Sequence, residues 1–194
     1  MIEIQQLVKR FGSKAALDGV TMQVESGSVF GLVGSNGAGK STLLRTLAGV
    51  FRPDGGSVLM DGKTPYENSE VKGRIFFVSD YPYFLPKATL QEMSLLYRRT
   101  YPHWDNGRYE TLCRTFGLDV NGRLQNFSKG MQRQAALILA LSTQPDYLLL
   151  DEIFDGLDPV VRQLLKKLLA EEVSQRGMTV VIASHNLREL EDVC

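Results

Sequence analysis

The stretch Gly34-Ser35-Asn36-Gly37-Ala38-Gly39-Lys40-Ser41 fits the spacing G-x-x-x-x-G-K-[ST], and the rest of the chain is read outward from it. Ahead of it, Val29-Phe30-Gly31-Leu32-Val33 is short and mostly apolar, as a buried strand requires. Behind it, Ser41-Thr42-Leu43-Leu44-Arg45-Thr46-Leu47-Ala48 spaces its apolar residues as a helix does. Strand, glycine-rich loop and helix together read as a phosphate-binding loop. The glycines let the backbone curl so that successive N–H groups converge on one phosphate chain, and the helix N-terminus adds the positive end of its dipole. Lys40 is placed to reach the β- and γ-phosphates, and Ser41 to ligate Mg²⁺. The bland alternative, a glycine-rich turn before an ordinary helix, leaves the regular flanks unexplained.

The 194 residues and 43% hydrophobic content suit a folded domain with a sizeable core. Twenty-two basic and 22 acidic residues cancel, so no global field favours nucleic acid or an anionic membrane. The longest apolar runs, such as Ala135-Ala136-Leu137-Ile138-Leu139-Ala140-Leu141, fall short of the about 20 residues of a membrane span, so a membrane role goes through a partner chain. Met1-Ile2-Glu3-Ile4-Gln5-Gln6 lacks the layout of a signal peptide. Cys113 and Cys194 make neither a disulfide framework nor a metal-ligand pattern, which fits a reducing cytoplasm.

Up to the loop the sequence predicts three strands, around Ile2–Gln5, Leu17–Val24 and Ser28–Val33, with turns at Gly12-Ser13 and Ser26-Gly27 and with Phe11 in the first turn. Ser57–Met60 before Asp61-Gly62 carries a hairpin signal, and Arg74–Ser79 reads as a buried strand. From about 88 to 143 the period becomes helical. Thr89 and Glu92 form a capping box, Leu90, Met93, Leu96 and Tyr97 share one face, and Tyr109, Leu112, Cys113 and Phe116 share another, with Gly117 as a cap. His103 and Trp104, at the break between these helices, read as structural. Strands return at Asp146–Glu152 and Met178–Ser184 around a helix at about 159 to 175, which implies a mainly parallel core sheet. The tail from Asn186 begins an amphipathic helix without a terminal cap, as a truncated C-terminus would.

Leu148-Leu149-Leu150-Asp151-Glu152 ends a strand in paired carboxylates at the sheet edge where such folds bind ligands. Asp151 is expected to hold Mg²⁺ through its waters, and Glu152 to take a proton from the attacking water. Asn126 to Gln134 opens a helix whose N-terminal backbone can meet phosphate, Gly156-Leu157-Asp158-Pro159 is a turn into the next helix, and Ser184-His185 follows a buried strand at the ligand edge.

In family order from Phe11 to His185, this set resembles the ATP-binding cassette family. Gly34–Ser41 matches its Walker A motif and Tyr147–Glu152 its Walker B motif; Ser128–Gln132 is similar to the signature, Gly156–Asp158 to the D-loop, and His185 to the switch histidine. The resemblance implies a P-loop NTPase fold of the α/β class: residues 1–87 and 144–194 form the core and an N-terminal antiparallel β-subdomain, and residues 88–143 an inserted α-helical subdomain. It implies ATP and Mg²⁺ as cofactors, with Glu152, His185 and Lys40 catalytic and Ser41, Asp80 and Asp151 at the metal. Phe11, Gly34, Ser35, Asn36, Gly37, Ala38, Gly39, Lys40, Ser41, Thr42, Ser128, Gly130 and Asp158 would bind nucleotide. Two such domains, alike or different, would close head to tail, each ATP lying between one phosphate loop and the partner's signature.

Two departures stand out. The signature reads Phe127-Ser128-Lys129-Gly130-Met131 in place of L-S-G-G-Q, and Asp80 stands where the family's Q-loop carries glutamine. Both are similar to the ABC-2-type exporter branch. The implied protein is a cytoplasmic ATPase, peripheral on the inner face of the membrane through a permease on a separate chain, and not a binder of nucleic acid. A soluble cassette ATPase acting on DNA or ribosomes, and a regulatory nucleotide-binding module, are the rival readings. Tyr81-Pro82-Tyr83-Phe84-Leu85-Pro86 is either packed beneath the helical insert or exposed as a docking groove.

Overall fold

The computed structural model describes residues 1–191 and 193. The strands are β1 Ile2–Phe11, β2 Lys14–Val24, β3 Val29–Val33, β4 Gly55–Met60, β5 Ile75–Val78, β6 Tyr147–Asp151 and β7 Thr179–Ser184. The helices are α1 Lys40–Leu47, α2 Ser69–Lys72, α3 Leu90–Thr100, α4 Asn106–Phe116, α5 Lys129–Ser142, α6 Pro159–Arg176 and α7 Leu187–Leu190. The strands make two sheets, an antiparallel one in the order β2-β1-β4 and a parallel one in the order β3-β7-β6-β5.

The central strands are apolar on both faces, and their alternation divides the interior. Tyr147 and Leu149 of β6, with Val181 and Ala183 of β7, face a core shared with Leu43, Leu44 and Leu47 of α1 and with Ile2, Ile4, Leu7 and Val58 of the antiparallel sheet. Leu148, Leu150, Val180 and Ile182 face a second core filled by Met93, Leu112, Leu137, Ile138, Leu141, Leu165 and Leu169 of α3 to α6. Because successive side chains point to opposite faces, the continuous apolar runs of β6 and β7 call for cover on both sides.

Local chemistry sets the boundaries. Thr89 and Glu92 close the expected capping box on α3, Gly117 ends α4 in the left-handed region, and Pro159 occupies the first turn of α6. β1 runs on to Phe11, beyond the expected Gln5, because Gln6 bulges at φ 48 and breaks the alternation without ending the ladder. Phe11 is consequently the last residue of the strand and not part of the turn. Asp61-Gly62 makes only a tight turn, closed by a Met60–Lys63 bridge, with no second strand after it. Leu96, expected on the packed face of α3, is 43% exposed, while Ser94 is buried in its place. Trp104 packs on Tyr109 at 5.4 Å, and His103 is exposed. Of the expected terminal helix only its first turn forms, as α7, capped by Asn186 and ended at Glu191; Asp192 and Cys194 lie outside the described residues. Among the described residues no helix is long and apolar enough to cross a membrane.

Leu137, fully buried between α5 and the sheet, should cost about 2–5 kcal/mol when replaced by alanine, whereas Leu96→Ala should stay within about 0.5 kcal/mol. Urea unfolding of the two variants measures both. Equal midpoints would contradict the division between packed and exposed faces of the helical segment.

Candidate functional site

The parallel sheet delivers the ends of β3, β6 and β7 to one edge. From β3 the chain turns through the glycine-rich loop, whose first N–H, from Gly34, donates to the Ser184 carbonyl at 3.4 Å. Gly39 sits at φ 93, immediately before α1, with Ala16 of β2 against it. A Cβ there would lie 2.5 Å from the Ala16 carbonyl oxygen, so both the dihedral and the contact demand glycine. No side chain caps α1, which leaves the N–H groups of its first turn directed at the cleft.

Two side-chain contacts tie the loop to the end of β6 and to Glu152 after it. Ser41 Oγ donates to Asp151 Oδ1 at 3.0 Å. Asp151 is only 1% exposed and its Oδ2 has no partner; burial pushes its carboxyl above the usual range, against the opposing pull of the Ser41 hydrogen bond. Lys40 Nζ donates to the carbonyls of Gly34 at 2.6 Å and Ser35 at 3.2 Å and lies 3.4 Å from Glu152 Oε1. Glu152 is held by its own N–H, which donates to the Ala183 carbonyl at 2.9 Å, although its φ of 49 is costly for a residue with a side chain. Its Oε2 meets His185 Nδ1 at 2.8 Å and accepts the His185 N–H at 3.2 Å. The hydrogen bond to Glu152, and then its charge, raises the His185 pKa above the ordinary histidine value.

A cleft of about 440 Å³ opens here, lined by Phe11, Lys14, Ala16, residues 36–42, Asp80 and Glu152. Phe11 stands at its rim, 48% exposed, with its ring edge-to-face on Phe51 at 5.3 Å. The structure thus gathers Phe11, the loop, Asp80, Asp151 and Glu152 in one place, with His185 on Glu152.

It does not bring Ser128, Gly130 or Asp158 to that cleft. Ser128 caps α5, its Oγ accepting the Met131 N–H at 3.2 Å, and Asp158 caps α6 by accepting the N–H groups of Val160 and Val161 at 3.0 Å. Gly130 packs on the turn before α6, where a Cβ would lie 2.9 Å from the Gly156 carbonyl. Asp80 carries a partner that the sequence reading missed. Its Oδ1 meets the Arg133 guanidinium at 2.5 Å, and its carbonyl accepts from the same group at 3.3 Å. A charged residue in phase with the apolar Leu137 and Leu141 of α5 was the available signal.

A phosphate loop at a parallel-sheet edge, joined to a buried carboxylate and an adjacent Glu–His pair, defines a nucleotide-binding α/β domain of the P-loop ATPase class. The profile of the ABC transporter family matches residues 17–155. The chain belongs to that family, as its ATP-binding domain. It is 32% identical over its full length to the ABC transporter ATP-binding protein YtrB of Bacillus subtilis (strain 168), covering 66% of that protein. It is 33% identical to the Nod factor export ATP-binding protein I of Burkholderia pseudomallei (strain 1710b), where all of the chain covers 65% of the relative. The chain thus spans just under two thirds of the length of these curated relatives. A solved structure described as the ATP binding subunit of an ABC transporter superposes with a TM-score of 0.91 at 26% identity, covering 100% of this chain and 83% of that one.

A raised histidine pKa means that the His185–Glu152 contact contributes most below about pH 6.5 and is lost as pH rises through the folded value. An NMR titration should place the His185 midpoint above about 6.5, and Glu152→Gln should bring it down. An unchanged midpoint in that variant would remove Glu152 as the cause.

Proposed function

We propose that this chain is the ATP-binding and ATP-hydrolysing subunit of a membrane exporter, and that it works as a dimer whose two nucleotide sites form at the shared face. One observation carries the dimer. The cleft around Lys40 holds the loop, Asp80 and Glu152 but none of Ser128, Gly130 or Asp158, so a γ-phosphate seated on one protomer has its outer face free for the α5 N-terminus of another. Membership of the family supports that arrangement, and the export role of the Burkholderia relative supports the direction.

The residues divide the work as follows. Phe11 offers an aromatic face at the rim for the adenine. The loop N–H groups and Lys40 hold the β- and γ-phosphates, and Lys40 exchanges its carbonyl contacts for phosphate oxygens. Ser41 and Asp151 fit a Mg²⁺ ion, because Asp151 keeps an unpartnered buried oxygen beside the Ser41 hydroxyl; Asp80 faces the same cleft. Bound there, the ion would neutralise charge developing on the phosphates. Glu152 accepts the proton of the attacking water, and His185, hydrogen-bonded to it, fixes its orientation and reaches toward the γ-phosphate. Fixed N–H dipoles and Lys40 supply most of the rate by stabilising charge, with Glu152 adding on the order of 10²–10⁴-fold.

The membrane partner would dock beside Asp80. Phe84 packs inward against the core, while Tyr81 and Tyr83, the latter 76% exposed, and half-exposed Leu85 remain at the surface above a groove of about 270 Å³ that reaches Phe76 and Tyr97. The aromatic run thus serves both readings, one residue anchoring the loop and the others offering an apolar surface to a permease on the cytoplasmic side.

Glu152→Gln should bind ATP, lose on the order of 10²–10⁴-fold in kcat and accumulate a dimer on size exclusion; normal turnover would mean another base. Lys40→Ala should weaken ATP binding, and unchanged affinity would refute the phosphate assignment. Tyr81→Glu with Tyr83→Glu should leave basal ATPase intact and abolish co-purification with the permease. Intact assembly would sink the docking surface.

A further inference from the structure

Arg133 is 4% exposed, and a guanidinium so far from water must keep charged or carbonyl partners. Its partners lie on two different loops. On one side are the carboxylate and carbonyl of Asp80, in the loop that follows β5. On the other, Nη1 donates to the Asp155 carbonyl and Nη2 lies 3.6 Å from the Asp155 carboxylate, where the chain begins its turn into α6. Its Nε has no partner, so the group has no reserve of acceptors beyond these two residues. The turn is packed on the same spot, since a Cβ at Gly156 would lie 3.1 Å from Arg133 Nη1 and one at Gly130 would lie 2.9 Å from the Gly156 carbonyl.

Asp80 therefore answers to two positive claims. It lines the cleft with Lys40, Ser41 and Glu152, and it neutralises Arg133 from behind. We propose that Arg133 is a positioning residue that divides its guanidinium between Asp80 and Asp155: when Asp80 turns its carboxylate to a divalent cation in the cleft, Arg133 shifts onto the Asp155 carboxylate and tightens the Asp155–Asp158 turn against α5. This rests on the reading that Asp80 faces the cation. The cleft would then inform the surface that carries Ser128 and Asp158 by exchange of one buried ion pair, a change that needs only a short movement because the second carboxylate is already 3.6 Å away.

The test uses the full chain with a non-hydrolysable ATP analogue, with and without Mg²⁺, and reads two quantities. Fluorescent-nucleotide titration gives the Mg²⁺ dependence of binding, which Asp80→Asn should reduce several-fold. Hydrogen–deuterium exchange of the segment 154–160 should slow several-fold on Mg²⁺ addition in the wild type and lose that response in Asp155→Asn, while the Mg²⁺ dependence of binding in that variant stays at the wild-type level. Arg133→Lys, which keeps the charge but not the fork, should retain part of the response, and Arg133→Gln none. If Asp80→Asn leaves the Mg²⁺ dependence unchanged, the cation reading of Asp80 fails and the exchange falls with it. If Asp80→Asn weakens Mg²⁺ but the wild-type turn does not respond, or Asp155→Asn responds as the wild type does, Arg133 is a static tie and the proposal alone is overturned.

Discussion

The parallel pairing of β6 with β7 is the constraint on which the rest of the molecule depends. Both strands are fully buried and apolar on both faces, so neither can sit at a wet surface. One face takes α1 and the antiparallel sheet, and the other takes α3 to α6. Parallel direction has a second consequence, since it brings Asp151 and Ser184 to the same edge as Val33 of β3. Glu152 and His185, the polar residues directly after those strands, are thereby set beside Lys40 of the phosphate loop. Packing and chemistry are thus two outcomes of one strand arrangement.

At that edge the protein accepts local cost for position. Glu152 takes a left-handed backbone that disfavours a side chain, on the order of 1–3 kcal/mol, and Asp151 is desolvated with one oxygen unpartnered. Asp151 ends β6, a strand buried along its whole length, and Glu152 follows it directly and is bonded back to Ala183 of β7, so the core fixes them. Glycine does the same for the loop, since only a residue without Cβ lets Gly39 lie against Ala16. Backbone position on the strand ends thus sets where these groups lie, and the side-chain pairs Ser41–Asp151, Lys40–Glu152 and Glu152–His185 then join them.

What the sequence made legible follows from the range of the interactions. The phosphate loop, the capping box at Thr89, Gly117, Pro159 and the continuous apolar run of β6 are all written within a few residues, and each appears where the pattern puts it. Features decided across the fold were less visible. β1 runs past its polar Gln5-Gln6 interruption because β2 and β4 pair on both sides of the bulge. Leu96 has helical spacing but turns to the surface, because α5 contacts the neighbouring face of α3 at Met93. The partner of Asp80 lies 53 positions away, on α5, and no local pattern reports that distance.

The same distinction changes the meaning of the signature segment. By motif, Ser128 and Gly130 belong to phosphate, yet within one molecule each already has a use: Ser128 caps α5, and Gly130 admits the Gly156 carbonyl. These uses do not compete with an anion. A serine cap occupies the Met131 N–H and leaves the first N–H groups of the helix pointing outward, and the close glycine contact sets the helix N-terminus against the turn that carries Asp158. A phosphate arriving from a second molecule would therefore meet an end that its own fold has aimed. The turn that steadies that end also accepts from Arg133, and Arg133 reaches the cleft through Asp80. On the proposed reading, the two half-sites of one chain, one giving phosphate contacts to its own nucleotide and the other to its partner's, are joined through a single buried guanidinium.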